Sequence, residues 1–400
     1  MSRPRVLYLA HRIPYPPDKG DKIRSWRTVE HLARRFDVDL AAFVDDPADF
    51  QHRARLEQVC ASVALVPLHR RAATIRSALG FVTGEPLTFP YYRDGRMKRA
   101  VAAARAAGPV AQIAFSSSMA PYLDGAAAPV LIDLCDADSA KWAEYGKRKG
   151  WPMSAVYARE GRLLARAETA IINRAEATFA ITEEEADLLA SRDGVARPVR
   201  WFANGVDADA FAPGAVAPAP ARIDAVFVGA MDYWANVDAV RWFADAIWPE
   251  IRAADPEAAF FIVGLNPDPS VKALAGRDGI SVTGRVADVR PYLAAARIAV
   301  APMRIARGIQ NKVLEAMAMA KAVVATPAAL EGIDAAIGTE AIACASAAVF
   351  AQECLSLIGD QGAAQRIGQA ARARILSDYQ WPAQFRRLDA ELDALLARRC

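Results

Sequence analysis

Lys312 and Glu315 stand inside an otherwise apolar run, RGIQNKVLEAMAMAKAVVAT, at residues 307–326. Burying a charge costs several kcal/mol unless a partner satisfies it, so the pair points to something bound there. On a helix begun near Gly308, residues Gly308, Asn311, Lys312 and Glu315 fall on one face at i, i+3, i+4 and i+7. The first turn of such a helix offers free backbone N–H groups and a positive dipole end, which suit a phosphate. Glu315 then lies roughly 10 Å further along, at about 1.5 Å per residue. A carboxylate at that place can accept hydrogen bonds from the two vicinal hydroxyls of a ribose. Phosphate at the helix start and ribose at the carboxylate together describe a nucleoside diphosphate. The competing reading is a partly solvated polar stripe, with Lys312 and Glu315 as an ordinary i, i+3 pair.

Two further clusters have side chains suited to chemistry. PYPPDKGDKIRSW (14–26) sets Lys19, Lys22 and Arg24 around Gly20, in the loop after the first strand-like run. Such loops leave the carboxyl ends of strands, where α/β sheets bind ligands, and the basic residues read as a clamp on phosphate or acceptor. Trp26, by its place in the helical period, reads as core. DADSAKW (136–142) supplies Asp136 and Asp138, read as acceptor-side contacts. D-x-D spacing also suits a shared divalent cation. A lone D-x-D is common in loops and caps, so no metal is expected to be held there.

The elements that must position these residues follow from the pattern of apolar runs. Strand-like runs at 6–10, 38–44, 63–67, 111–115, 129–134 and 177–181 alternate with helical stretches, among them 152–174. A second series runs through 225–231, 258–264, 280–284, 297–303 and 322–326, with Asp288 as an N-cap for the helix that follows it. Helices are expected across 346–378 and 382–398. This alternation predicts two parallel sheets covered by helices on both faces, in two doubly wound domains. The Ala-, Pro-, Asp- and Gly-rich stretch 204–224 reads as the hinge between residues 1–203 and residues 204–381.

Composition narrows the function classes. Four hundred residues exceed one ordinary core and suit two domains. No run reaches the roughly 18 apolar residues of a membrane span, and VLYLA is too short for a signal-peptide core. Five scattered cysteines and four histidines form no disulfide framework or zinc signature, which suits a cytoplasmic setting. The formal charge of +3 divides into +6 over residues 1–203 and −3 over residues 204–400. Basic residues gather in HRRAATIRSALGF and YYRDGRMKRAVAAARAAG. A solvated helical face explains them, and so does a peripheral contact with an anionic membrane surface. No recognised nucleic-acid motif accompanies the charge, and none is expected as a partner. No G-x-G-x-x-G follows a strand and no G-K-S/T is present, which argues against a nicotinamide oxidoreductase or a P-loop nucleotidase.

GIQNKVLEAMAMAKAVVAT, FANGVDADAFAP, AVFVGAM and VTGRVADVRPYLAAARIAVAPM, in this order, resemble the signatures of the family-4 retaining glycosyltransferases of the GT-B fold. With PYPPDKGDKIRSW and DLCDADSAKWAEYG, the likeness is nearest to sugar transferases of exosortase-associated exopolysaccharide systems. The resemblance implies a GT-B fold, two Rossmann-like domains facing across a cleft, with the C-terminal helix 382–398 packing back on the first. It implies transfer from a nucleotide-diphospho-sugar to a glycan or lipid-linked acceptor with retention, and no cofactor. By that resemblance Glu315 matches the ribose-binding glutamate, and Gly308 and Ile309 the residues whose backbone meets sugar and phosphates. Arg285 and Val286 fall where the base is cradled, Gly20 on the glycine turn near the transferred sugar, and Asn204 and Gly229 on the hinge and first-strand signatures. Asn311 and Lys312 share the Glu315 helix. The family's second acidic residue is replaced by Arg307, its second loop glycine by Gln310, and its arginine and lysine after the first strand by Ala230 and Ala235. The chain therefore has to screen the leaving diphosphate otherwise, with Lys312 first, Arg307 second, and Lys22 or Arg24 from the first domain. A nucleotide-sugar epimerase or a non-catalytic binding module of the same fold is the alternative.

Overall fold

The structure, a computed structural model, describes residues 3–398 other than 148, 278 and 307. The expectation for Arg307 lies outside the described residues. The chain divides into two compact units, Met1–Ala203 with Phe385–Cys400, and Asn204–Gln384.

The first unit is built on a parallel sheet of seven strands: β1 (Arg5–Ala10), β2 (Asp37–Val44), β3 (Ser62–Pro67), β4 (Ala111–Phe115), β5 (Val130–Cys135), β6 (Ala177–Ala180) and β7 (Val199–Trp201). Their order is β3-β2-β1-β4-β5-β6-β7. Val6, Leu7, Tyr8, Leu9 and Ala10 are fully buried, because a parallel strand flanked by helices has no solvent face. The order reverses between β1 and β4, which pair from Val6↔Ala111 to Ala10↔Phe115. That reversal opens a crevice beyond the two strands' carboxyl ends.

Helix Gly20–Leu32 follows β1 and buries Trp26, as its place in the helical period predicts, together with Val29 and Leu32. The same helix buries Arg24 completely. Its guanidinium donates to both carboxylate oxygens of Asp133 (2.7 and 3.0 Å) and to the Phe202 carbonyl (2.9 Å), and it lies 3.7 Å from the Phe202 ring centroid. Fork geometry and a matched carboxylate make such a pair tolerable in a core.

The chain re-enters this unit at Phe385, on helix Trp381–Ala397. Phe385 stacks on His31 at 4.3 Å, Asp389 lies 2.8 Å from His31, and Arg387 caps the Trp201 ring at 3.4 Å.

The second unit carries six parallel strands: β8 (Ile223–Val228), β9 (Phe260–Val263), β10 (Ile280–Gly284), β11 (Ala296–Ala301), β12 (Ala322–Ala325) and β13 (Ile342–Ala343). The order β10-β9-β8-β11-β12-β13 repeats the arrangement of the first sheet, with the reversal between β8 and β11. Asp288 accepts from the Arg290 N–H at 2.9 Å at the start of helix Arg290–Ala295, as an N-terminal cap does. The helical stretch expected at 346–378 is two helices, Ala347–Gly359 and Gln361–Asp378, separated by Asp360, which caps the second by accepting from the Ala363 N–H. Among the described residues, no helix is long and apolar enough to cross a membrane.

Candidate active site

In the second unit the candidate residues Gly229 and Gly308 to Glu315 follow the carboxyl ends of β8 and β11, where the strand order reverses, whereas Arg285 and Val286 follow β10 at the sheet edge. β8 runs into Gly229, and the backbone there is held by a close approach: a Cβ on Gly264 would fall 1.7 Å from the Gly229 carbonyl oxygen. Asn236 packs over the same turn and donates to the Ala230 carbonyl at 2.9 Å, while its buried Oδ1 has no partner among the described residues.

β11 leads through a loop to helix Asn311–Ala318. The expected start near Gly308 is three residues too early. Gly308 adopts φ +63°, a left-handed conformation that ends any continuous helix and favours glycine. Gln310 is the N-cap residue, with no side-chain cap bond to the first turn. Val313 already donates to the Gln310 carbonyl at 2.9 Å, so the free N–H groups of the first turn, among the described residues, are those of Asn311 and Lys312, while Ile309 is buried beside them.

Lys312 and Glu315 are both partly buried, and Val313, Leu314, Ala316 and Met317 pack the core side of the helix. Lys312 leans back toward the N-terminus, as helical side chains do, and its Nζ lies 5.5 Å from the Phe227 ring centroid. It donates to Gln310 Oε1 at 3.2 Å, which leaves most of its three donors unused. Among the described residues no hydrogen bond or ion pair within 4.0 Å involves the Glu315 carboxylate, so the two do not form the structural i, i+3 pair. Burial lowers Lys312 to about 8, Glu315 opposing, and raises Glu315 to about 7, Lys312 opposing. Asn204, itself buried, donates to Asn311 Oδ1 at 3.0 Å and so ties the start of this unit to the helix. Arg285 is exposed and Val286 partly buried, just past the Gly284 turn that ends β10.

In the first unit the structure corrects the expected basic clamp. Arg24 is a core link to Asp133 and presents no donor to a ligand, because all of its surface is covered. Lys22 is only 5% exposed and is held by Asp49 at 2.8 Å and Asp18 at 3.4 Å. The two lie on different sides of helix Gly20–Leu32, two residues apart, and each is covered: Lys22 by Asp49 and Asp18, Arg24 by Asp133 and Phe202; in that helix only Gly20, its first residue, is exposed. Asp136 pairs with Lys141, and Asp138 accepts from Ser117 Oγ at 3.0 Å. Both follow β5 at the carboxyl edge of the sheet.

The sequence reading missed the residues that do line a pocket on this edge. His11 and Arg12 follow β1, Asp45 follows β2, Arg70 lies just past β3, and Tyr91 and Tyr92 close a space of about 240 Å³. Arg12 contacts Asp21 at 2.6 Å and Asp45 at 3.4 Å, and Arg70 donates to Asp45 at 2.7 Å. Burial would raise both carboxyls, but His11 and Arg12 hold Asp21, and Arg12 and Arg70 hold Asp45, below the usual carboxylate range. The signal was available: each charged residue stands one to three places past the end of a strand, where α/β sheets present side chains to ligands.

With this geometry established, residues 222–360 match the family described as Glycosyl transferases group 1. Among curated protein sequences none matches the chain. Over its length the structure is similar to sucrose-phosphate synthase from Thermosynechococcus elongatus, at TM-score 0.71 and 16% identity, covering 99% of this chain and 100% of that one. It is similar to Anabaena HepE in complex with UDP-glucose, at TM-score 0.69 and 15% identity, covering 98% and 100%. An α,α-trehalose-phosphate synthase (UDP-forming) from Burkholderia vietnamiensis gives TM-score 0.64 at 13% identity, covering 98% and 100%. The chain thus has the GT-B fold of these proteins, and its residues 222–360 match the glycosyl transferases group 1 family.

Proposed function

We propose that the protein is a retaining glycosyltransferase of the family-4 type. It moves a sugar from a nucleotide-diphospho-sugar to a glycan or lipid-linked acceptor in exopolysaccharide biosynthesis. The observation that carries this reading is the Lys312–Glu315 pair. Two partly buried groups of opposite charge, with most of their hydrogen-bonding capacity unused, stand on one helix at the β8/β11 reversal. A diphosphate near the free N–H groups of Asn311 and Lys312 and the Lys312 ammonium, with its ribose on Glu315, would satisfy both. Gly308 and Ile309 would meet the sugar and phosphates through their backbone, with Arg285 and Val286 at the base, and Gly229, Asn204 and Asn311 shaping the floor. Arg307 is proposed as a second cation on the diphosphate. The similar HepE structure holds UDP-glucose, which supports a uridine diphosphate donor.

In the proposed step the bond from the sugar C1 to the diphosphate oxygen breaks, and the acceptor oxygen bonds to C1 on the same face. The acceptor proton passes to the departing phosphate oxygen. Positioning and screening supply the rate, so no separate base is required. Asp136, Asp138 and the Gly20 turn belong to the acceptor side on the first unit. No nucleic acid and no cofactor take part. A peripheral contact with an anionic membrane surface is supported by exposed Ile75, Leu79, Phe81 and Val82 beside exposed Arg71.

UDP-sugars incubated with and without a glycan or polyprenyl-phosphate-linked acceptor test the proposal, with UDP release and product anomer read by NMR. Acceptor-dependent UDP release with an unchanged anomeric configuration is expected. Conversion of the UDP-sugar to an epimer without acceptor would identify an epimerase instead. Nucleotide binding with no turnover on any acceptor would make the chain a binding module.

A further inference from the structure

We propose that the first unit's pocket, formed by His11, Arg12, Asp45, Arg70, Tyr91 and Tyr92, binds a hydroxyl-rich ligand carrying one anionic group, a phosphate or a carboxylate. The inference rests on the transferase reading only in making this ligand the acceptor; the pocket's chemistry stands on its own residues. A space of about 240 Å³, open to solvent on one side, holds one sugar ring with a charged substituent.

The arginines make the site anion-selective. Each guanidinium has five N–H donors. Among the described residues Arg12 meets only Asp21 and Asp45, and Arg70 only Asp45, so most of their donors remain unused. Asp21 and Asp45 stay ionised and fix the two forks in place without enclosing them. Arg70, 64% exposed on its side chain, is also the first residue of helix Arg70–Ser77. No side chain caps that helix, so its free N–H groups add donors beside the Arg70 fork.

The remaining groups suit a ring. His11 Nδ1 is buried and, among the described residues, has no partner, although buried polar atoms are nearly always satisfied. Its ring stacks on Phe115 at 5.5 Å and meets Tyr92 edge-on at 6.0 Å, so it cannot turn freely to find one. His11 therefore serves the pocket as a fixed ring, and the hydroxyls of a ligand are left to the Arg12 and Arg70 donors and the Asp45 carboxylate. Tyr91 and Tyr92, edge to face at 5.0 Å, offer apolar ring surface to the C–H face of a sugar.

The test is calorimetry on the full chain with four probes: glucose 6-phosphate, glucuronate, glucose and inorganic phosphate. At least one of the two charged sugars should bind, and at least about tenfold more tightly than glucose or inorganic phosphate, a gap of about 1.4 kcal/mol. Which charged sugar binds tells phosphate from carboxylate. In Arg70→Gln that affinity should fall about tenfold or more, as loss of a charge-assisted contact requires. UDP affinity should be unchanged in the same variant, which checks its folding and reports the second unit separately. Equal binding of glucose and the charged sugars, equal binding of inorganic phosphate, no binding of any probe, or an unaltered Arg70→Gln would each overturn the proposal. Charged-sugar binding without any UDP binding would leave this pocket standing and remove the donor reading alone.

Discussion

Replacing Glu315 by glutamine should move stability and binding in opposite directions. Burial raises the Glu315 carboxyl from 4.5 to about 7. At about 1.4 kcal/mol per pH unit, the folded chain therefore holds that proton more tightly than the unfolded chain by about 3 kcal/mol. A group whose folded pKa lies above its unfolded value contributes stability that is complete below the unfolded pKa and lost as pH rises through the folded one. Wild type should thus lose stability between pH 5 and pH 8, while Glu315→Gln, with nothing to ionise, should not. Solvent reaches part of this side chain and screens the penalty, so we expect the variant to be more stable at pH 8 by about 1–2 kcal/mol. For a domain of this size that is about 2–8 °C in melting temperature. The assay is differential scanning calorimetry at pH 5.5 and pH 8, following the transition that UDP shifts, which belongs to the second unit. UDP affinity should fall about tenfold or more in the variant, through loss of a charge-assisted contact. The 2′,3′-dideoxy nucleotide should bind both proteins alike. A variant less stable than wild type at pH 8, or one with unchanged UDP affinity, would refute the reasoning.

Lys312→Met should weaken UDP at least about tenfold while uridine, which lacks phosphate, binds as before; equal losses for both would show a merely structural lysine. Because burial lowers Lys312 to about 8, diphosphate affinity should decline as pH rises from 8 to 9.5 in wild type and stay level in the Met variant, read by calorimetry. Arg24→Met should leave Asp133 buried and unpaired and cost about 3–5 kcal/mol. The melting step that UDP does not shift should drop sharply, and an Arg24 variant with normal melting but no acceptor binding would restore the clamp reading. Sugar transfer should survive excess chelator; activity lost to chelator and restored by magnesium or manganese would return Asp136 and Asp138 to a metal role.

The long buried strands were legible in the sequence because a parallel strand covered on both faces has to be apolar throughout, as β1 and β8 are. Their alternation with helical periods sufficed for the fold class. β7 and β13 escaped because three and two residues at a sheet edge leave no apolar run to recognise. Lys312 and Glu315 stood out for a related reason: charge inside an apolar run breaks the local pattern and is visible without coordinates. Tertiary structure alone decided the rest. Whether Arg24 met a ligand or Asp133 depended on a strand 109 residues away in sequence. The start of the 311–318 helix turned on the left-handed Gly308, a backbone state that a glycine permits without requiring. The pocket on the first sheet was hidden because His11, Asp45 and Arg70 come from three different strand ends. Each alone is an ordinary polar residue after a strand, and only the order of strands in the sheet makes them neighbours.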